Sequence, residues 1–134
     1  MHRAVAAAVA ALSVPLAAAS IPAHADTTLP PPYIDHVEWA KWGDLSSLRV
    51  YPTHAGRVAS TDFVDPAEAW SEVLMLSPDA DIPGMQAQFV CHWQLAEFAF
   101  PGKVSWNLEP WRPEVDAAEM VSTGCNPGGT EEPF

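Results

Sequence analysis

Basic residues are scarce in this chain. Lysine and arginine number 6 against 17 aspartates and glutamates, for a formal net charge of −11. No basic stripe exists, so a phosphate backbone or an anionic membrane surface finds no complementary field. Nucleic acid is thereby excluded as a partner. Cysteine is scarcer still, at 2 residues. No paired-cysteine spacing occurs, and no histidine stands in an HxH or HExxH pattern, so the common zinc signatures are missing and no metal or cofactor is expected. GxSxG is absent as well, which removes the strand-turn-helix nucleophile of the α/β-hydrolases.

One apolar run stands out, at residues 4–21, behind the short positive head Met1-His2-Arg3. It is mostly alanine, is broken by Ser13 and Pro15, and is followed by Ala23-His24-Ala25. A positive head, an apolar stretch and a small-x-small end make up a secretory signal peptide. Alanine contributes little membrane affinity, so a retained anchor is disfavoured. No cysteine lies near the cut and no twin arginine precedes it, which points to the general secretion route. Cleavage after residue 25 of 134 leaves 109, enough for one domain. With Arg3 removed, 5 cations face 17 acids, a net charge of −12.

In an oxidising compartment, Cys91 and Cys125 are expected to pair. They lie 34 positions apart, and closing such a loop stabilises by about 3 to 4 kcal/mol on the chain-entropy account. A cysteine-ligated metal or a free thiol at Cys91 is the alternative.

Residues 26–32, DTTLPPP, read as a Pro-rich extended tether. The segments YIDHVEWAKW and LSSLRVYP flank Gly43-Asp44 and alternate as strands do, so a β-hairpin is expected over 33–52. The stretch 53–57 reads as a turn or the start of a short helix. Asp65-Pro66-Ala67-Glu68 has the residues of a helix opening, and that helix should end before Pro78. The loop SPDADIPG holds Asp79 and Asp81 but lacks the glycine and glutamate of a calcium loop. The longest helical pattern covers 84–100. Stepping by about 100° per residue puts Met85, Phe89, His92, Trp93, Ala96 and Ala99 in one arc. Residues 104–108 read as extended, and Asp116 with Glu119 opens a last short helix ended by Gly124. A flexible acidic tail is expected over 128–134.

The motifs Gln88-Phe-Val-Cys-His-Trp, Trp106-Asn-Leu-Glu-Pro-Trp-Arg-Pro and Cys125-Asn-Pro are distinctive together. Through them, and through Val50-Tyr-Pro-Thr, Gly56-Arg57 and Trp70, the chain resembles a family of small secreted actinobacterial proteins classed only as a domain of unknown function. The likeness covers residues 33–127. It implies export and one compact domain, and it carries over no reaction.

Two functional readings follow. His92 falls within the buried arc of the long helix, where an unpaired imidazole costs about 1 to 3 kcal/mol. Held by Glu109, it can act as a general base, with Arg112 stabilising a developing negative charge. Gln88, Lys103 and Asn107 stand beside this set. The chain would then be a small secreted hydrolase or toxin-like enzyme. In the other reading Glu109 and Arg112 pair with each other and His92 is core. Trp106 and Trp111, together with Gln88, Lys103 and Asn107, would then bind a cell-envelope component or a protein partner. The expectation is the second: a secreted, monomeric, non-catalytic binding module. Its fold is expected to be a small single α+β domain over 33–127, a hairpin or short antiparallel sheet on two to three helices, closed by one disulfide.

Overall fold

A computed structural model describes residues 18–20 and 28–129. Most of the expected leader, residues 21–27 and the acidic end at 130–134 lie outside the described residues. Strands β1 (Ile34–Trp42) and β2 (Leu45–Pro52) form the hairpin, turning at Gly43 and Asp44. Gly43 takes a φ of 59°, where glycine meets no Cβ penalty. Val37 faces Val50 and Trp39 faces Leu48 across the ladder. The expected alternation is thus the observed register.

The third strand, β3 (Trp106–Leu108), pairs antiparallel with β2, so the sheet order is β1-β2-β3. Leu48 lies opposite Leu108 and Val50 opposite Trp106. These four side chains are fully buried and present the inner face of the sheet to the helices.

Thr53 caps the first helix, α1 (His54–Thr61), by accepting the Gly56 N–H at 2.9 Å. The sequence reading stopped this helix short. Its signal was the threonine alone, since β-branched and small residues fill its body. Asp65 accepts the Ala67 N–H at 2.8 Å and opens α2 (Ala67–Leu76). After a short 3-10 turn over Pro78–Ala80, α3 (Met85–Ala99) packs against β3 and α1. Asp116 accepts the Glu119 N–H at 2.8 Å at the head of α4 (Ala117–Ser122). Cys91 and Cys125 are disulfide-bonded, with Cα atoms 5.6 Å apart. With Met120, Leu95 and Val115 they form a small second core between α3 and α4.

The main core is aromatic. Trp70 and Phe89 lie 5.5 Å apart, Phe89 and Trp106 6.3 Å, and Trp93 stands nearly perpendicular to Trp106. Tyr33 meets the edge of Trp93 at 5.7 Å. Burial beside Glu68 and Glu72 raises the Tyr33 phenol above its ordinary value. The acidic loop after α2 is bound internally: the Asp79 carboxylate accepts from the Ser77 hydroxyl and from the Trp39 indole. Those bonds, the hydroxyl first, hold Asp79 below the usual aspartate range.

The entry to β1 is fixed by backbone groups. Glu72 Oε2 accepts both the Tyr33 and the Ile34 N–H at 2.7 Å, and the Tyr33 carbonyl accepts from Thr53 N at 2.9 Å. Helix α1 passes so close that a Cβ on Gly56 would lie 2.2 Å from the Tyr33 oxygen. Neither partner is a flexible side chain. Gly56→Ala is therefore expected to destabilise by about 2 kcal/mol or more, measured as the urea midpoint. A near-neutral result would show that α1 can slide away from β1.

Candidate functional site

The residues singled out by sequence fall into two places. The first is a sealed polar network behind the sheet. Glu109 follows β3, and Pro110 then prevents the ladder from continuing. Gln88 of α3 serves as the missing strand partner: its Oε1 accepts the Glu109 N–H and its Nε2 donates to the Glu109 carbonyl, both at 2.9 Å. The Glu109 carboxylate accepts from Ser47 of β2 at 3.1 Å and from Arg112 Nε at 2.8 Å. Arg112 Nη1 donates to the carbonyls of Pro127 and Gly129 at 3.1 Å each. The Glu109 and Arg112 side chains have no exposed surface. One ion pair therefore ties the sheet, the long helix and the loop after α4. It also holds Gly129, within the stretch 128–134 that was read as a flexible tail.

The second place is a cavity of about 660 Å³ at the C-terminal end of α3. His92, Leu95, Phe98 and Ala99 form one wall, Phe100 and Lys103 the next, and Val121, Gly124 and Cys125 the wall opposite. Neither Glu109 nor Arg112 lines it. His92 joins the two places. Its ring borders the cavity, while its Nδ1 meets the Gln88 carbonyl at 2.9 Å. A carbonyl can only accept, so Nδ1 carries the proton.

Other candidates separate in the same way. Trp106 is core and offers a ligand no surface; its indole N–H has no oxygen or nitrogen acceptor among the described residues. Asn107 is buried, with its side-chain oxygen accepting from Ser105 at 2.8 Å. Trp111 reaches the surface, donates to the Ser46 carbonyl at 3.0 Å and covers the Arg112 guanidinium, 4.5 Å from its ring. Of the five expected binding residues, Lys103 alone lines the cavity.

Lys103 is positioned by a built turn. Its N–H donates to the Phe100 carbonyl at 3.1 Å across Pro101 and Gly102, the latter at φ 75° as a type II turn requires. Arg57 Nη2 donates to the Lys103 carbonyl at 2.7 Å, and Arg57 Nη1 pairs with Glu97. Glu97 in turn accepts the Gly102 N–H at 3.1 Å. Glu97 was not among the residues singled out in the sequence. Its partner is 40 residues away in α1, and no local spacing announces such a pair.

The cavity walls were also missed. Phe98 is 56% exposed and Phe100 66%, although both continue the apolar pattern of α3. Phe63, held at a φ of 58°, stacks on Phe98 with ring centroids 5.8 Å apart. The signal was an excess. The helix end carries more large apolar residues than a core this small can cover. Among the described residues no three His, Cys, Asp or Glu side chains cluster as a metal would require, and no helix is long and apolar enough to cross a membrane.

Comparison with known proteins places the chain. A family model described as "Protein of unknown function (DUF2599)" matches residues 34–128. The chain belongs to this family. It is 61% identical over 106 residues to an uncharacterized protein of Mycobacterium tuberculosis (strain ATCC 25618 / H37Rv), Rv0477, covering 78% of this chain and 72% of that one. The uncharacterized protein Mb0487 of Mycobacterium bovis gives the same figures. The uncharacterized protein ML2452 of Mycobacterium leprae is 49% identical over 102 residues, 75% of this chain and 83% of its own. No solved structure matches the chain.

The sealed network yields a direct test. Glu109→Gln leaves Arg112 buried beside a neutral amide, so a loss of about 3 to 5 kcal/mol is expected. His92→Gln, at the cavity wall, is expected to cost clearly less. Urea denaturation of the two variants checks the order. Equal losses would place His92 inside the load shared by the ion pair.

Proposed function

We propose that this protein is an exported, non-catalytic binding protein acting in or beyond the cell envelope. It takes a small apolar ligand in the cavity between α3, the turn at Lys103 and α4. The observation that carries this reading is the cavity itself. Its volume falls within the roughly 300–1,000 Å³ usual for small-molecule sites, and its walls are mainly Leu95, Ala96, Phe98, Ala99, Phe100 and Val121. Large apolar side chains kept in water at a concave place mark binding surfaces.

The hydrolase reading requires Glu109 and Arg112 to act on a substrate. Both side chains are shielded from solvent, and each has its hydrogen bonds directed inward. Glu109 and Arg112 fit the role of structural groups, and His92 that of a wall residue. Export is supported by the leader pattern at residues 1–25 and by the disulfide, since reducing compartments do not keep such bonds.

Two measurements test the proposal. The neutral dye Nile red is expected to bind saturably, with blue-shifted emission. Ala99→Trp fills the cavity from an exposed position and should abolish that signal without lowering the melting temperature. Dye binding that survives this substitution would overturn the site. Separately, mass spectrometry of protein from the culture medium should find a chain starting near Asp26 with Cys91 and Cys125 joined. An intact leader would overturn export.

A further inference from the structure

We infer that the groove beside α2 is a second ligand site, and that it takes a primary alkyl ammonium, a single apolar chain with a cationic head. The groove lies apart from the cavity at the end of α3 and does not rest on the reading given for that cavity. Its volume is about 590 Å³. One part of its lining is Pro31, Pro32 and Ile34, at the entry to β1. The rest is one stripe of α2, on which Glu68 and Glu72 stand a turn apart and Met75 and Leu76 follow a turn later. Each acid has a local role. Glu68 lies in the first turn, where the helix dipole favours a carboxylate. Glu72 Oε2 holds the Tyr33 and Ile34 N–H groups. Neither role brings a cation. Like charges at this spacing repel on a helix, and among the described residues no lysine, arginine or histidine lines the groove. The field of the pair reaches the Tyr33 phenol, which burial first and then Glu68 and Glu72 raise. A cation set between the two carboxylates relieves their repulsion.

The second half of the stripe says what the cation carries. Met75 is 81% exposed and Leu76 49%. The local roles of the two acids do not account for large apolar side chains kept in water beside them, and such side chains mark binding surfaces. An alkyl chain lying over Met75 and Leu76 displaces that water. Its ammonium then reaches Glu68 and the Oε1 of Glu72, the oxygen not used by the β1 backbone, in charge-assisted hydrogen bonds. The order of residues along α2, acids first and apolar groups last, fixes which end of the ligand lies where. A carboxylate head would bring like charge to the pair, and a neutral alcohol would leave the repulsion in place. The volume suits one small amphiphile and not a bilayer face.

Calorimetry below the micelle concentration tests this with three probes that share a twelve-carbon chain: dodecylammonium, dodecanol and dodecanoate. Each is run on the wild-type chain and on Ala99→Trp, which closes the other cavity. In Ala99→Trp, dodecylammonium is expected to bind at one site about tenfold more tightly than dodecanol, with a preference that shrinks as salt is raised. Dodecanoate should not bind there. Glu68→Gln should weaken dodecylammonium about fivefold and leave dodecanol unchanged. Glu119→Gln, on α4, removes the same charge elsewhere and should alter neither. Ser71→Trp fills the groove from an exposed position on the same stripe and should remove binding of both. Equal losses from Glu68→Gln and Glu119→Gln would reduce the effect to net charge and overturn the inference, as would equal binding of dodecanol and dodecylammonium, or no binding. Dodecylammonium binding that survives Ser71→Trp would place the site elsewhere, and binding lost in Ala99→Trp would place it in the other cavity; either result overturns the groove while leaving the Nile red site to its own test. A wild-type dimer that Ser71→Trp abolishes would assign the groove to a second copy and overturn the inference too.

Discussion

The buried pair of Glu109 and Arg112 is the constraint on which this small domain depends. The domain's core is modest, so its three parts need more than apolar contact to hold their relative positions. Placing two charges in a sealed interior costs several kcal/mol per ion before their attraction repays it. That cost is tolerable here because the acid's oxygens and most of the guanidinium are engaged: Ser47 and Arg112 at the carboxylate, and Glu109, Pro127 and Gly129 at the guanidinium. The pair is better understood as a device for register than as a source of stability. It sets where the loop after α4 lies against the end of β3. Gln88 then sets where α3 lies against both.

With those positions fixed, the far end of α3 is left without a partner on one side among the described residues. The sheet ends at β3, whose three residues pair only with the middle of β2. The last turn of α3 therefore projects past the sheet, and its apolar side chains face the short helix α4 across a gap. The Cys91–Cys125 disulfide sits at the root of that gap and holds its two walls together. The cavity follows from the topology: a helix longer than its sheet, a turn folded back along it, and a short helix bonded beneath.

Much of this was legible in the sequence. Gly43-Asp44 between two alternating segments marked the hairpin, Asp65 and Asp116 marked helix starts, and two lone cysteines behind a leader-like pattern marked their own pairing. These signals are local or leave few alternatives. The rest was hidden for a common reason. Ser47, Gln88, Glu109 and Arg112 come from four separated segments, and polar residues carry no periodicity that reveals whether they are sealed or wet. The sequence reading set His92, Glu109 and Arg112 in one group, and helical periodicity announced the burial of His92 alone. Their division between an interior network and a cavity wall depends on which way α3 is rotated against β3, which Gln88 decides through contacts 21 residues apart. Phe98 and Phe100 were hidden differently. Apolar residues at a helix end read as core, and among the described residues nothing covers these two fully.

His92 is where the two halves of the structure meet, and its position constrains how they can communicate. Its Nδ1 bonds the carbonyl of Gln88, the residue whose side chain pairs with the Glu109 backbone. Its ring also faces the cavity. Any displacement of the imidazole would therefore act on the turn of α3 that carries Gln88, and through it on the end of β3. The path is short and built of hydrogen bonds within the buried part of the chain. Packed interiors resist gradual deformation, so such a push is resisted and not absorbed. The ion pair thus bears on the cavity from a distance: it shares Glu109 with Gln88, whose carbonyl holds the histidine wall in place.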